Sequence, residues 1–358
     1  MTDGPMPPER AVLGRNAIRV GLVVAATVAA ASSFAFAGGR EPAGTAFPIP
    51  QGEAGIGFDD LRYSSTLQRV LVPSGRAGAL SLIEPQTGQL SAVRGFSTDA
   101  QYAGGHNFGV TSVDEGRGLL FVSDRTSKQA YAIDPKTLRI VCSVKLAAQP
   151  DYVRFVATRS ELWVTEPDAE QIEIFSVSQD AVPGLTHAGT IHVANGPESL
   201  VIDEADGRAY THRWQTFSLA IDLASRRIVG QWPNACEASR GIAFDAQTGF
   251  LLAVCSEGTV SVLDTRHDGR VINKRRSGSG YDVVGWNPRL RHLYLAGRAC
   301  ACLTIVSVSL QGKLKVLGSL SAPVSTHCVT ADEHDNAWVC DPSKGRLLRV
   351  HDPYPASR

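Results

Sequence analysis

Asp59, His106 or its neighbour Asn107, Asp151, Glu198, Arg240, Asp282 and His327 stand at one position of a recurring pattern in this chain. Their types could do chemistry if a fold gathered them. Asp151, Glu198, Asp282 and His327 are a donor set for a divalent metal ion, which would polarise a carbonyl or activate water. His106 or His327 could act as a general base, with Arg240 holding a carboxylate or an oxyanion. A plainer reading takes precedence: the mouth of a water-filled channel is polar because water is there, and Arg240 then pairs with a nearby acid. Trp214, preceded by His212 and Arg213, could wall a pocket or simply pack its own loop. No G-x-S-x-G elbow, H-E-x-x-H helix, C-x-x-C-H haem attachment or P-loop occurs.

The second reactive set is sulfur: Cys142, Cys236, Cys255, Cys300, Cys302, Cys328 and Cys340. Cys236 and Cys328 precede apolar segments that open a repeat, whereas Cys255 and Cys340 end the segments that follow. In antiparallel pairs those positions share one face, and so do Cys300 and Cys302. Pairing Asp332 with Asn336 across the turn at Glu333-His334-Asp335 sets Cys328 opposite Cys340 at bridging distance. Disulfides Cys236–Cys255 and Cys328–Cys340 are therefore expected, each contributing on the order of 2–4 kcal/mol. The C-x-C spacing of Cys300 and Cys302 is expected not to close on itself. With His327 or His292 the pair could hold copper(I) or zinc; otherwise one sulfur bridges elsewhere and the other stays reduced, which is the preferred reading. Cys142 reads as a small buried hydrophobe. His327 and Cys328 are adjacent, so along a strand they point to opposite sides and form no thiolate–imidazole pair.

What must position these groups is a repeat. Gly241-Ile242-Ala243-Phe244-Asp245, Phe250-Leu251-Leu252-Ala253-Val254 and Thr259-Val260-Ser261-Val262-Leu263-Asp264 form its clearest copy. The third segments end at Glu84, Asp134, Ser176, Asp222, Asp264, Ser307 and Asp352, spaced at roughly the 40–50 residues of a propeller blade. Turn-forming links such as Asp114-Glu115-Gly116-Arg117-Gly118 separate the strands. The fold class is all-β: a seven-bladed β-propeller of four-stranded blades over 58–97, 108–146, 150–193, 197–232, 239–276, 280–320 and 326–352. The last copy ends without an outer strand, and an open seam would expose sheet edges. Ala46-Phe47-Pro48-Ile49-Pro50 is expected to supply that strand, since prolines suit an edge.

Cys236 to Asp245 with Leu252-Ala253-Val254-Cys255, and Gly280-Tyr281-Asp282-Val283-Val284, resemble the YVTN-repeat, or YncE-like, propellers of secreted bacterial proteins. Leu162-Trp163-Val164-Thr165-Glu166 and Leu120-Phe121-Val122-Ser123-Asp124 stand where the literal Tyr-Val-Thr-Asn would be. The resemblance implies a seven-bladed ring over most of residues 58–352. It implies no single activity, because propellers of this kind include redox-enzyme subunits, lactonases and plain binding proteins.

Lysine plus arginine equals aspartate plus glutamate, 35 each, which gives no electrostatic reason to bind nucleic acid or an anionic membrane. Arg10, Arg15 and Arg19, an apolar run from Val20 to Ala31 and Ala35-Phe36-Ala37 read as a secretory signal peptide over residues 1–37. Read through to Ala37, the same stretch would be an uncleaved anchor; the small-residue ending favours cleavage. Residues 38–57 form a lead and 58–354 the propeller, with no membrane span in the mature chain. The leading expectation is a periplasmic or secreted monomer binding a small molecule or protein partner at the cysteine-bearing face and central funnel. The alternatives are a metal-dependent, lactonase-like hydrolase or lyase in the funnel, and a scaffold subunit for a redox partner.

Overall fold

Each repeat closes into an antiparallel sheet of four strands, and seven such sheets form the ring of the computed structural model. The structure describes residues 42–357 apart from 179, 181 and 182. The segment read as a signal peptide lies outside the described residues, among which no helix is long and apolar enough to cross a membrane.

Within a blade, burial follows strand position. In the fifth blade the second strand, Phe250–Cys255, is buried at every residue, while the outermost, Arg270–Arg276, is exposed or half-buried throughout. The middle strands face a neighbouring blade on both sides, so they read as almost continuous apolar runs. The outer strands meet solvent and carry the charges. The acidic ends of the third segments also have a physical role. Asp134 Oδ1 accepts the Lys136 N–H at 2.9 Å, Asp222 Oδ1 the Ser225 N–H at 2.8 Å, and Glu84 the Gln86 N–H at 3.1 Å. Each closes the turn into the outer strand, which is the role of the acid where a third segment ends in one.

The seam closes as expected. Thr45–Pro48 lies antiparallel to Arg346–His351 as the fourth strand of the seventh blade, with Phe47 opposite Leu347. The Phe47 ring packs on Trp338 at 4.8 Å, and Ile49 and Ile56 further along the lead are buried.

The inner strands start at the cysteine-bearing face and run towards the opposite one. Asp59 precedes Arg62–Ser64, Asp151 precedes Val153–Val156, and Glu198 opens Glu198–Asp203. Arg240 lies in Ser239–Asp245, Asp282 in Tyr281–Asn287, and His327 two residues ahead of Val329–Ala331. One end of the channel is therefore lined by residues separated by most of the chain.

Candidate functional site

At the cysteine-bearing end the polar groups hold one another. His106 Nδ1 lies 2.9 Å from Asp59 Oδ2, and its Nε2 lies 3.6 Å from Asp282. Arg125, which the sequence reading missed, is the centre of this hub. Its guanidinium pairs with Asp59 at 3.0 Å and with Asp151, and donates to Asn107 Oδ1 at 3.0 Å. It directly follows the second strand of its blade, Leu119–Asp124, which is the rule that placed Cys255 and Cys340 on this face and could have found it.

His327 stacks on His106 at 5.0 Å, while its nitrogens face Ser325 O at 3.1 Å and Phe58 O at 2.8 Å. The second contact ties the seventh blade to the lead of the first. Both ring nitrogens face backbone carbonyls, and a neutral imidazole can donate to only one of them. Arg240 donates to Ser239 O at 2.7 Å and lies over the Trp214 ring at 4.9 Å. The guanidinium expected to grip an oxyanion is stacked on an indole. His212 is fully buried between Ser218 Oγ and Gly241 O, and burial pulls its pKa down to about 4, so it stays neutral.

Charge in the hub follows burial and pairing. Asp59 raises His106 to about 9 against the opposing effect of burial. Burial alone would raise Asp59, but His106 and Arg125 together hold its carboxyl below the ordinary range. Asp151 is pushed up to about 6 by burial, which Arg125 only partly offsets. Glu198 is raised well above the usual carboxylate range by burial and then by the charges of Asp151 and Asp282. The four expected metal ligands do not come together as one set. Among the described residues only Asp282 and His327 of that quartet share a donor cluster, with His106 as its third member.

The cysteines give two expected bridges and one correction. Cys236–Cys255 and Cys328–Cys340 are formed, with Cα separations of 5.3 and 5.6 Å. Cys300 and Cys302 also bridge, to each other, contrary to the expectation for C-x-C. Ala301 between them adopts a left-handed φ of 47°, which turns the chain tightly enough to bring the two Cα atoms to 5.2 Å. Neither sulfur is then a thiolate for copper or zinc, and His292 is buried against Asp352 at 2.7 Å. Cys142 is free and half-buried, and burial raises its thiol pKa, which lowers its thiolate fraction. Peptide mapping without reduction should recover three linked pairs and one alkylated Cys142; scrambled partners would contradict this framework.

A cavity opens at the other end of the channel. It holds about 840 Å³ where the inner strands finish, with Phe155, Phe244 and Trp286 as aromatic walls and Ile242 and Val284 between them. Its lining also includes the Asp60–Arg154 pair. The Arg154 guanidinium, 4% exposed, meets Asp60 at 2.6 and 3.0 Å and donates from Nε to Leu200 O at 2.9 Å. Ser112 Oγ donates to the same carboxylate at 2.6 Å, so one buried pair joins the first four blades. An arginine within the short inner strand Val153-Arg154-Phe155-Val156 was the available signal. At the cysteine-bearing face the cavity beside His106, His327 and Arg298 is only about 250 Å³.

No protein-family model matches the chain, and no curated protein matches it. Solved structures do. The chain is similar to Kuenenia stuttgartiensis hydrazine synthase at 11% identity and a TM-score of 0.67, over 84% of this chain and 96% of that one. A chain of the mitotic checkpoint complex aligns at 14% identity and a TM-score of 0.70, over 97% of this chain and 100% of its own. The β-propeller domain of Cps50 (Swd1) from Myceliophteria thermophila aligns at 11% identity and 0.67, over 83% and 98%. What they share is the fold. This chain is a seven-bladed propeller.

Proposed function

We propose that this chain is a secreted or periplasmic binding propeller of the YVTN-repeat kind, exported on residues 1–37, which takes a small organic ligand into its channel at the end opposite the disulfides. The cavity of about 840 Å³ carries this reading. Its size matches small-molecule sites, and aromatic walls above a few fixed charges are what such sites use to hold and orient a ligand. The expected ligand end was the cysteine-bearing face, but there the charged side chains pair with one another and the cavity is only about 250 Å³. Disulfides in the fifth to seventh blades suit an oxidising compartment.

A thermal-shift screen of sugars, amino acids and organic acids tests the reading. At least one compound should raise the melting temperature of the wild-type protein by several degrees. Ala243→Phe, which fills the cavity, should abolish that shift, and Trp214→Ala on the other face should leave it intact. Loss through Trp214→Ala alone, or no responding compound, counts against the assignment. Trp214 at 36% and Val324 at 80% exposure support a second reading, in which the cysteine-bearing face docks a protein partner.

A further inference from the structure

The three disulfides are not equivalent. Cys236, Cys255, Cys328 and Cys340 are at most 2% exposed, whereas Cys300 and Cys302 are both half-buried on the face of the ring. The buried bonds span 19 and 12 residues of sequence and constrain the unfolded chain accordingly; the third spans 2 and constrains it least. The bond between Cys300 and Cys302 also holds Ala301 in the left-handed region, at φ 47°, which a residue with a Cβ adopts only at a cost. A bond that is only half-buried, adds little stability and keeps backbone in an unfavourable conformation is poorly explained as a staple.

We propose that Cys300–Cys302 is a thiol–disulfide exchange site for small extracytoplasmic thiols. The two sulfurs have different surroundings. Cys302 begins the strand Cys302–Val308 and is held opposite Gly297, while Cys300 sits on the turn. The Thr304 hydroxyl lies 3.6 Å from Cys302 Sγ and itself accepts from Tyr281 OH at 3.2 Å. A chain of hydroxyl donors therefore ends on one sulfur, and makes that sulfur the better leaving group. An incoming thiolate attacks Cys300 Sγ, the Cys300–Cys302 bond breaks, and Cys302 leaves as a thiolate that Thr304 stabilises before water protonates it. A second thiolate then attacks the small molecule's sulfur in the mixed disulfide, and Cys300 leaves as a thiolate that water protonates. The sum is one protein disulfide plus two thiols giving a protein dithiol and one small-molecule disulfide, a balanced two-electron exchange. Exposed Arg298, two residues before Cys300, borders the cavity of about 250 Å³ and favours thiols that carry a carboxylate, such as glutathione.

The test uses the oxidised full-length protein and timed reduction by dithiothreitol, with alkylation and peptide mass mapping. Cys300 and Cys302 should become alkylated at least tenfold faster than the four buried cysteines, with Cys142 labelled independently of the reductant. Cys302→Ser incubated with oxidised glutathione should carry glutathione on Cys300. Thr304→Val should slow opening of the wild-type bond several-fold at unchanged melting temperature. Three bonds opening at one rate, or no glutathione on Cys300, would overturn the proposal; an unchanged rate in Thr304→Val would overturn Cys302 as the leaving sulfur.

Discussion

Deleting residues 38–57 should lower the melting temperature by roughly 10 °C, measured by calorimetry or circular dichroism. The segment does more than complete a ladder. Ile49 and Ile56 are buried at 2% and 0% exposure, and Phe47 packs on Trp338. Full burial of such side chains is worth about 1.5–3 kcal/mol each. The Ile49 N–H also bonds to Gly345 O at 3.0 Å, and the Ile56 N–H to Pro342 O at 2.8 Å. Arg76 would lose more, because its buried guanidinium donates to Gly55 O at 2.6 Å and Gln51 O at 2.9 Å. Deletion strands that charge and opens the edge of Arg346–His351 together. Phe47→Ala, which keeps the strand and removes one ring, should fall between wild type and deletion. A melting temperature unmoved by the deletion would show that the ring closes without its lead.

Scaffold and site were unequally legible. The blade count, the closing strand and two disulfides follow from patterns that one chain carries locally: strand alternation, acid-ended turns and hairpin register. Register alone set Cys328 opposite Cys340. Cys300–Cys302 escaped because the spacing rule assumes ordinary backbone, and only the left-handed conformation of Ala301 makes so short a link close. The channel ends depended on what no repeat encodes. Aligning the copies on their inner-strand entrances located Asp59, Asp151 and Glu198 but not Arg125, which follows a second strand, or Arg154, which lies further along an inner strand. These two arginines decide how the acids at each end of the channel are neutralised. Repetition reveals the common scaffold; which side chains meet across the axis depends on the order of the blades around the ring.

Arg125→Met should destabilise the protein by about 3–5 kcal/mol near neutral pH, the cost of removing one partner from a buried ion pair. Asp59 and Asp151 are 2% and 6% exposed, so neither can turn to water for its lost donor. The sign with pH follows from the two acids. Asp151 already titrates near 6, and without the guanidinium its pKa rises further, so at pH 5 it is neutral and the variant loses less than at pH 8. Asp59 keeps His106 as its partner in the variant. That histidine gives the wild type its own window. Its folded pKa of about 9 exceeds the ordinary 6.5, so its contribution is complete below pH 6.5 and disappears as pH rises through 9. Urea unfolding at pH 6 and pH 9.5 should show a loss on the order of 2 kcal/mol across that interval, largely abolished in His106→Gln. Arg125→Met combined with Asp151→Asn should recover part of the stability, because the stranded charge is gone. If the single and double variants unfold alike at pH 8, a stranded Asp151 charge is not what destabilises Arg125→Met.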